Sequence, residues 1–192
     1  MVHGKIQDKQ RAILEAAVAV FAERSFWDTP TSLVSKTAGV ADGTLFNYFK
    51  TKDELINAVY LEIKREVVDT LLQGLAERVS VHDKMLHIWD RYIEWGVHHP
   101  EKFKVLQQIG ASYQLDEHVK AAANEPFVVI ERLARESIER GELRNYPVEY
   151  LAAFMDNHAA MTIRFITMRK EKRVDYQRIG FEMLWNSITL EH

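Results

Sequence analysis

The sequence predicts an all-α protein in which an N-terminal helix-turn-helix domain of three helices is joined by a long helix to a larger helical domain, with about nine helices in all. Apolar residues recur at intervals of three and four along most of the 192 residues, and no stretch alternates convincingly as a strand. Glycine and proline fall between these periodic segments, where helices end or begin. The chain has no cysteine, so burial of apolar side chains, and not disulfides or thiolate metal sites, must stabilise the fold.

Composition is that of a soluble protein with enough apolar residues for a packed core. Apolar residues make up 47% of the chain and charged residues 28%. No apolar run approaches the ~20 residues of a membrane span and no secretory leader is present, so we expect the protein in the cytoplasm. We expect a first domain over residues 1–50 and a second over 51–189, with 190–192 as the remnant of an expression tag.

The first helix is predicted upstream of two short helices. Ile13, Ala17 and Phe21 follow helical spacing and give this helix an apolar face. Pro30 lies in the segment that ends this helix. Thr31 or Ser32 can then cap the next helix or touch a phosphate.

Two short helices separated by a tight turn follow. Val34 and Ala38 lie on the apolar side of the first short helix, and Gly39 stands where a helix is commonly stopped. Ala41 or Asp42 can cap the second short helix. Its apolar contacts are expected from Leu45, Phe46 and Phe49.

The outward face of the second short helix has polar side chains suited to DNA. Two helices joined by a turn of about three to four residues form a helix-turn-helix, whose second helix can enter a major groove. Thr44 lies near the N-terminus of that helix beside Gly43, where a short side chain can approach base edges. Tyr48 and Lys52, one and two turns further on, suit phosphate oxygens better than bases. Asn47 also points outward.

The segment Ala38–Leu55, AGVADGTLFNYFKTKDEL, resembles the signature of the TetR family of transcriptional regulators, and Arg11–Phe26 resembles the first helix of that family. Phe46 departs from the tyrosine that is usual in the family, and Ser25-Phe26 replaces the usual glycine after the first helix. The resemblance implies a DNA-binding regulator. The residues predicted to contact DNA are Thr31, Ser32, Ala41, Asp42, Gly43, Thr44, Phe46, Asn47, Tyr48 and Lys52.

Charge is the property that agrees least with DNA binding. The formal net charge is −3, and residues 1–55 contain seven Lys and Arg against seven Asp and Glu. Phosphate binding therefore depends on where charges point, with Lys36, Lys50 and Lys52 in or beside the motif. We expect few phosphate contacts per subunit and a modest salt dependence of DNA affinity. Asp42 can cap the helix or accept a hydrogen bond from a cytosine amino group.

The rest of the chain is predicted to be helical, beginning with one long helix that follows Thr51 and reaches Leu71 without a flexible linker. Asn124 is expected to cap a helix over residues 125–140. The other helices are predicted over residues 80–98, 100–110, 147–170 and 175–188.

Aromatic side chains are concentrated in the middle helices. Such a set with a few polar tips can line an apolar small-molecule pocket, although each member can also belong to an ordinary core. His158, in the middle of an apolar helix, needs a partner, which can be Asn157, a buried carboxylate or a ligand. The predicted pocket residues are Trp89, Tyr92, Trp95, Phe103, Gln107, Tyr113, Phe127, Ile130, His158, Met161 and Phe165.

The last two helices have more apolar surface than one helical face needs, and a second copy can bury the excess. We therefore expect a homodimer through these helices. The TetR resemblance implies the same arrangement, with two reading helices in successive major grooves about 34 to 36 Å apart, on a double-stranded operator that is an inverted repeat. It also implies a repressor whose second domain binds a small apolar or aromatic effector of unknown identity that lowers DNA affinity.

Motifs for catalysis and cofactor binding are absent: the chain has no G-x-S-x-G, no P-loop, no H-E-x-x-H and no G-x-G-x-x-G. Its eight histidines follow no metal-binding spacing. We therefore expect neither an enzyme nor a cofactor or metal site. The alternative is a dimeric helical ligand-binding or scaffold protein without operator-specific DNA binding, which the neutral first domain, Asp42 and Phe46 favour.

Overall fold

The computed structural model describes residues 2–169 and 174–190. Within these residues the regular secondary structure is helical and no β-strand occurs, which confirms the predicted all-α class. Two 3₁₀ turns span Leu75–Glu77 and Glu125–Phe127. The α-helices are α1 (Val2–Arg24), α2 (Thr31–Thr37), α3 (Asp42–Tyr48), α4 (Lys52–Leu72), α5 (Val81–His98), α6 (Pro100–Ser112), α7 (Glu117–Asn124), α8 (Val128–Glu139), α9 (Val148–Met168) and α10 (Tyr176–Ile188).

The helices form two compact units. The first unit contains Met1–Arg65 and His99–Ala123, and the second contains Glu66–His98 and Asn124–His192. The long helix predicted after Thr51 is present as α4, which is continuous over 21 residues. The domain division expected at residue 50 stays a prediction. No helix among the described residues combines the length and the apolar content needed to cross a bilayer.

In the first unit, α1 packs against α2, α3 and α6. Ile13, Ala17 and Phe21 on its inward face are completely buried, at the positions that helical spacing predicted. Val34 of α2 and Leu45 of α3 are buried as well. Each large apolar side chain buried in this way contributes about 1.5–3 kcal/mol to folding, so apolar contact is what holds the two short helices.

Two positions in this unit have a left-handed backbone conformation. Gly39, in the turn after α2, has a φ of 67°, and the space around its Cα is open, so the conformation alone favours glycine. Ser25, directly after α1, has a φ of 71°, and its N–H donates to the carbonyl of Phe21 at 3.1 Å. Ser25 stands where the TetR family usually has glycine, and the positive φ explains that preference.

In the second unit, α9 packs against α5, α8 and α10, and α5 also packs against α10. Two glycines allow these helices to approach closely. A Cβ at Gly96 would lie 2.5 Å from the side chain of Ile163, and a Cβ at Gly180 would lie 2.6 Å from the ring of Trp89. Ile163 and Trp89 are almost completely buried and form the centre of this unit.

Helix boundaries differ from the predicted ones in the region around Asn124. This residue makes no side-chain cap and ends α7, a helix that the spacing of apolar residues did not locate. The N–H of Val128 bonds to the carbonyl of Glu125, which is the short spacing of a 3₁₀ turn, so the helix predicted over 125–140 begins at Val128.

Part of the predicted C-terminal elements falls outside the described residues. The helix expected over 147–170 ends at Met168, and residue 170 lies outside the described residues. The same is true of residues 191 and 192 of the expected tag remnant.

Candidate nucleic-acid interface and effector region

Helices α2 and α3 are joined by a turn over residues 38–41, which is the length expected of a helix-turn-helix. Because the turn bonds back to the last residues of α2, the carbonyls at that helix end are satisfied without other side chains. Three N–H groups make these bonds, from Ala38 to Val34, from Gly39 to Lys36 and from Val40 to Ser35, at 2.9, 3.2 and 3.0 Å.

A side-chain contact also joins the two short helices. Ser35 is buried in α2, and its hydroxyl donates to the carboxylate of Asp42, the first residue of α3. At this helix end the backbone dipole favours a negative charge. Ala41 occupies the N-cap position, and no side chain caps the helix. Asp42 therefore connects α3 to α2 and does not cap it.

The outer face of α3 is accessible. Gly43 and Asn47 are exposed, Thr44 is half-buried, and the ring of Phe46 is 42% exposed. Leu45 is buried on the opposite side, so inner and outer faces follow the helical spacing. None of the ten residues predicted to contact DNA is buried. Whether they touch DNA stays a prediction.

The start of α4 is held by capping bonds and by one lysine. The N–H of Glu54 donates to the Thr51 hydroxyl at 3.1 Å, and the carboxylate of Glu54 accepts from the N–H of Lys50 at 2.7 Å. The ammonium group of Lys52 donates to the carbonyl of Trp27 at 3.0 Å. This bond fixes the Lys52 charge beside the loop between α1 and α2.

Positive charge near the motif is sparse. Lys36 in α2 and Lys50 before α4 are exposed. Arg11 of α1, in contrast, lies 3.9 Å from a carboxylate oxygen of Asp8 and 3.8 Å from one of Glu15. These carboxylates weaken the field that Arg11 presents to phosphate. The charges that remain for DNA are few and individually placed.

Four predicted pocket residues of the second unit form two aromatic pairs, Trp89 with His158 and Tyr92 with Trp95. The ring centroids are 5.3 Å apart for Trp89 and His158 and 6.2 Å apart for Tyr92 and Trp95. Their polar atoms bond to Gln177 O (2.9 Å), Gly180 O (2.8 Å), Asp156 Oδ1 (2.8 Å) and Glu66 Oε1 (2.9 Å), respectively. The partner of His158 is thus a backbone carbonyl, and Nε2 carries the proton because a carbonyl can only accept. Trp89, Tyr92 and Trp95 are buried, and whether any of these residues lines a ligand pocket stays a prediction.

The other predicted pocket residues lie in different surroundings. Met161 and Phe165 are each 43% exposed on α9, and the ring of Phe165 contacts Tyr176 of α10. Phe127 and Ile130 are half-buried in the second unit. The first unit contains Phe103, Gln107 and Tyr113.

An apolar stripe is exposed on the last two helices. On α9 its members are three, four or seven residues apart, which places them on one face of the helix. Ala159, Ala160 and Ile163 are buried on the other face. This exposed stripe is the excess apolar surface that the sequence predicted. It consists of Tyr150, Phe154, Met161, Phe165 and Met168 of α9 and Ile179 and Met183 of α10.

The fold and the motif together define a class of protein, the helix-turn-helix DNA-binding regulators, because the second short helix is buried on its inner face and exposed on its outer face. Residues 13–59 match the model of the tetR family of bacterial regulatory proteins. The helix-turn-helix segment of the chain therefore belongs to the TetR family of transcriptional regulators.

Known proteins of this kind are similar to most of the chain. The crystal structure of a protein of Shewanella sp. PV-4 assigned to the tetR family has a TM-score of 0.88 at 26% identity and covers 95% of this chain and 99% of its own. The fatty acid metabolism regulator protein of Bacillus subtilis (strain 168) is 23% identical over 138 residues, 71% of each chain. FadR from Bacillus subtilis, solved in complex with stearoyl-CoA, has a TM-score of 0.74 at 20% identity over 95% of this chain and 100% of its own, which shows a shared fold.

Two features beside the motif were not found from the sequence. The bond between Ser35 and Asp42 had a weak signal, a serine among apolar residues on the inner side of α2. Tyr113 had none, because its hydroxyl donates to Asp53, 60 positions away. Contacts of that separation do not appear in a local sequence pattern.

Replacing Ser35 should test the contact between the two short helices. Ser35→Ala removes a buried donor to Asp42 and should lower the free energy of unfolding by about 1–2 kcal/mol. The control Ser32→Ala alters an exposed serine of the same helix and should change it by less than about 0.5 kcal/mol. Urea denaturation at one fixed protein concentration measures both. Equal effects of the two variants would contradict the contact.

Proposed function

We propose that the protein is a ligand-responsive repressor that binds an inverted-repeat operator as a homodimer and releases it when a small apolar effector binds the second domain. The single observation that supports DNA reading most strongly is the division of α3 into a buried inner face and an accessible outer face. Thr44 is proposed to read base edges, while Thr31, Ser32, Tyr48 and Lys52 contact phosphates.

The homodimer is proposed on the exposed stripe of α9 and α10. Large apolar side chains exposed in series are unfavourable in water, and a second copy removes them from it. In a two-fold dimer the same face of each copy meets its own counterpart, so the stripe needs no other complementary surface. Two copies of α3 would then enter successive major grooves about 34 to 36 Å apart.

The effector is proposed to be apolar. Trp89, Tyr92 and Trp95 are buried and their polar atoms are hydrogen bonded within the second unit, so a ligand that enters among them would meet mainly ring surface. Because FadR from Bacillus subtilis was solved with stearoyl-CoA, long-chain acyl-CoA thioesters are the first class to test. An effector must bind the released state better than the DNA-bound state, typically by about 1–3 kcal/mol.

A helical ligand-binding or scaffold protein without operator-specific DNA binding is the second candidate. It is favoured by the lack of net positive charge over residues 1–55 and by Phe46, which has no hydroxyl. The third point in its favour, the charge of Asp42, is weaker because Ser35 binds that carboxylate. The relatives described above are regulators, which favours DNA binding and disfavours an enzyme. The cytoplasm stays the predicted location.

Substitutions on α3 should separate base reading from phosphate binding. Thr44→Ala should reduce the preference for the operator over scrambled DNA by roughly 5- to 150-fold, since one good base contact discriminates by about 1–3 kcal/mol. Tyr48→Ala should weaken binding to both duplexes by the same factor, because phosphates have no sequence information. Fluorescence anisotropy with an operator selected from a random library measures both.

The matched control for Thr44→Ala is Thr167→Ala, an exposed threonine of α9, which should leave both affinities unchanged. If Thr44→Ala lowered affinity for operator and scrambled DNA equally, Thr44 would not be a base-reading residue. If the wild-type protein bound both duplexes equally, the scaffold alternative would be preferred.

A charge in the exposed stripe should break the homodimer. Phe165→Glu places a carboxylate where the proposed interface is apolar, and the protein should sediment as a monomer at concentrations where the wild type is a dimer. Val79→Glu is the control, because Val79 is 90% exposed and lies outside the stripe. An unchanged dimer dissociation constant for Phe165→Glu would place the interface elsewhere.

Stearoyl-CoA should release the operator. We expect it to raise the dissociation constant for the operator by roughly 5- to 150-fold at saturation. Free coenzyme A, which lacks the acyl chain, is the control and should have no effect. If acyl-CoA thioesters of short, medium and long chains all leave operator affinity unchanged, this effector class is wrong, while the proposed DNA binding is unaffected.

A further inference from the structure

We propose that Tyr113, the residue that follows α6, positions the charge of Lys52 and the loop between α1 and α2, and thereby sets the affinity of the first unit for DNA phosphates. This inference rests on the proposed DNA-binding function and deepens it. It concerns a positioning residue, because Tyr113 acts through Trp27 and Asp53 and not by touching DNA.

The aromatic ring of Tyr113 closes a three-ring contact. Its centroid lies 5.7 Å from that of Phe26, edge-on at 85°, and 5.7 Å from that of Trp27. The rings of Phe26 and Trp27 are 4.8 Å apart. Phe26 is completely buried, whereas Trp27 is 56% exposed. Trp27 is therefore held on one side by aromatic packing and open to solvent on the other.

The hydroxyl of Tyr113 makes a second connection. It donates to Oδ1 of Asp53 at 2.8 Å, in the first turn of α4. Burial, and then the bond to Asp53, raise the pKa of Tyr113 to about 12 from its ordinary 10.0. The pKa of Tyr113 is higher in the folded protein than in the unfolded chain. The contribution of the protonated phenol to folding stability is therefore complete below pH 10 and is lost as the pH rises through about 12. The phenol is thus a donor throughout the neutral range.

Two chains of contacts connect Tyr113 to Lys52, and each is called a route. One route passes through the ring of Trp27, whose carbonyl accepts from the Lys52 ammonium group at 3.0 Å. The other passes through Asp53, the neighbour of Lys52 in the chain. Phe26, Trp27, Lys52, Asp53 and Tyr113 form a closed set of contacts, which we call the Tyr113 cluster. Loss of the Tyr113 ring removes support from both routes at once.

Placement of Lys52 matters because residues 1–55 have few cations for DNA. With equal numbers of acidic and basic residues over 1–55, affinity depends on lysines that stand at fixed positions. Each phosphate that a lysine neutralises adds about 0.9 to the slope of log affinity against log salt. A lysine that loses its position loses that part of the slope, whereas a merely less stable protein does not.

The test compares Tyr113→Ala, Lys52→Ala and the double variant on a scrambled duplex between 50 and 200 mM salt. Tyr113→Ala should weaken binding by about three- to tenfold and lower the salt slope by about one per subunit, as Lys52→Ala does. The double variant should bind no more weakly than Lys52→Ala alone. Tyr146→Ala, an exposed tyrosine of the second unit outside the stripe, is the control and should change neither quantity.

Additive losses with an unchanged slope would overturn the inference and leave Tyr113 with a role in stability only. If Tyr113→Ala does not fold, Tyr113→Phe serves instead, because it keeps the ring and removes only the bond to Asp53. This variant should lose part of the slope. Full wild-type affinity and slope in Tyr113→Phe, with the alanine variant unfolded, would also count against the inference.

A second measurement tests the positioning without DNA. In protein labelled with 5-fluorotryptophan, the fluorine resonance of Trp27, assigned with Trp27→Phe, should shift in Tyr113→Ala and in Lys52→Ala and stay in place in Tyr146→Ala. An unmoved Trp27 resonance in Tyr113→Ala would refute the inference even if the protein binds DNA. Failure of the wild type to bind DNA, with the resonance shifted as expected, would refute the proposed function and not the positioning.

Discussion

Helices of seven residues are not stable alone in water, and both helices of the DNA-binding motif have that length. They persist because α1 buries its apolar face against them, with Ile13 and Phe21 completely enclosed. Burial of Leu45 on the inner side of α3 decides which residues face outward. The outer face of α3, and with it the proposed contact with DNA, therefore depends on the packing of α1.

The distribution of charge in this protein differs from that of a basic DNA-binding domain. Residues 1–55 have no excess of positive residues, and Arg11 is flanked by carboxylates. The proposed affinity for phosphate then depends on the placement of single lysines such as Lys52, whose ammonium group donates to the carbonyl of Trp27. Such an arrangement makes affinity sensitive to small displacements, because the attraction falls when one ammonium group moves away from its phosphate. That sensitivity suits the proposed regulator, whose DNA affinity changes when an effector binds.

Much of the fold could be predicted because helices leave a periodic pattern in the sequence. The spacing of apolar residues located α1, α4 and α9, and Gly39 marked the end of α2. The spacing of apolar residues did not locate α7, and Asn124, which was expected to cap a helix over residues 125–140, instead ends α7. There the chain passes from an α-helix through a 3₁₀ turn, and no sharp change of composition marks the boundaries.

Contacts between distant residues were the main part of the site that the sequence did not reveal. The outward position of Thr44 follows from helical spacing, but the bond between Ser35 and Asp42 depends on how two helices cross. For His158 the sequence left three partners open, and the structure gives it the carbonyl of Gly180, which is none of them. A backbone carbonyl on another helix is present whatever the side chain at that position, so the sequence does not indicate such a partner.

The central claim is that two copies of α3 read one face of the duplex as a pair. Its most direct test is the affinity for an inverted repeat, selected from random DNA, as the spacing between half-sites is varied. Affinity should be highest when the half-site centres are about one helical turn, 10 to 10.5 base pairs, apart, and should fall sharply when five base pairs are inserted, since the second half-site then faces the opposite side. Equal affinity for every spacing, and for a single half-site, would contradict the account.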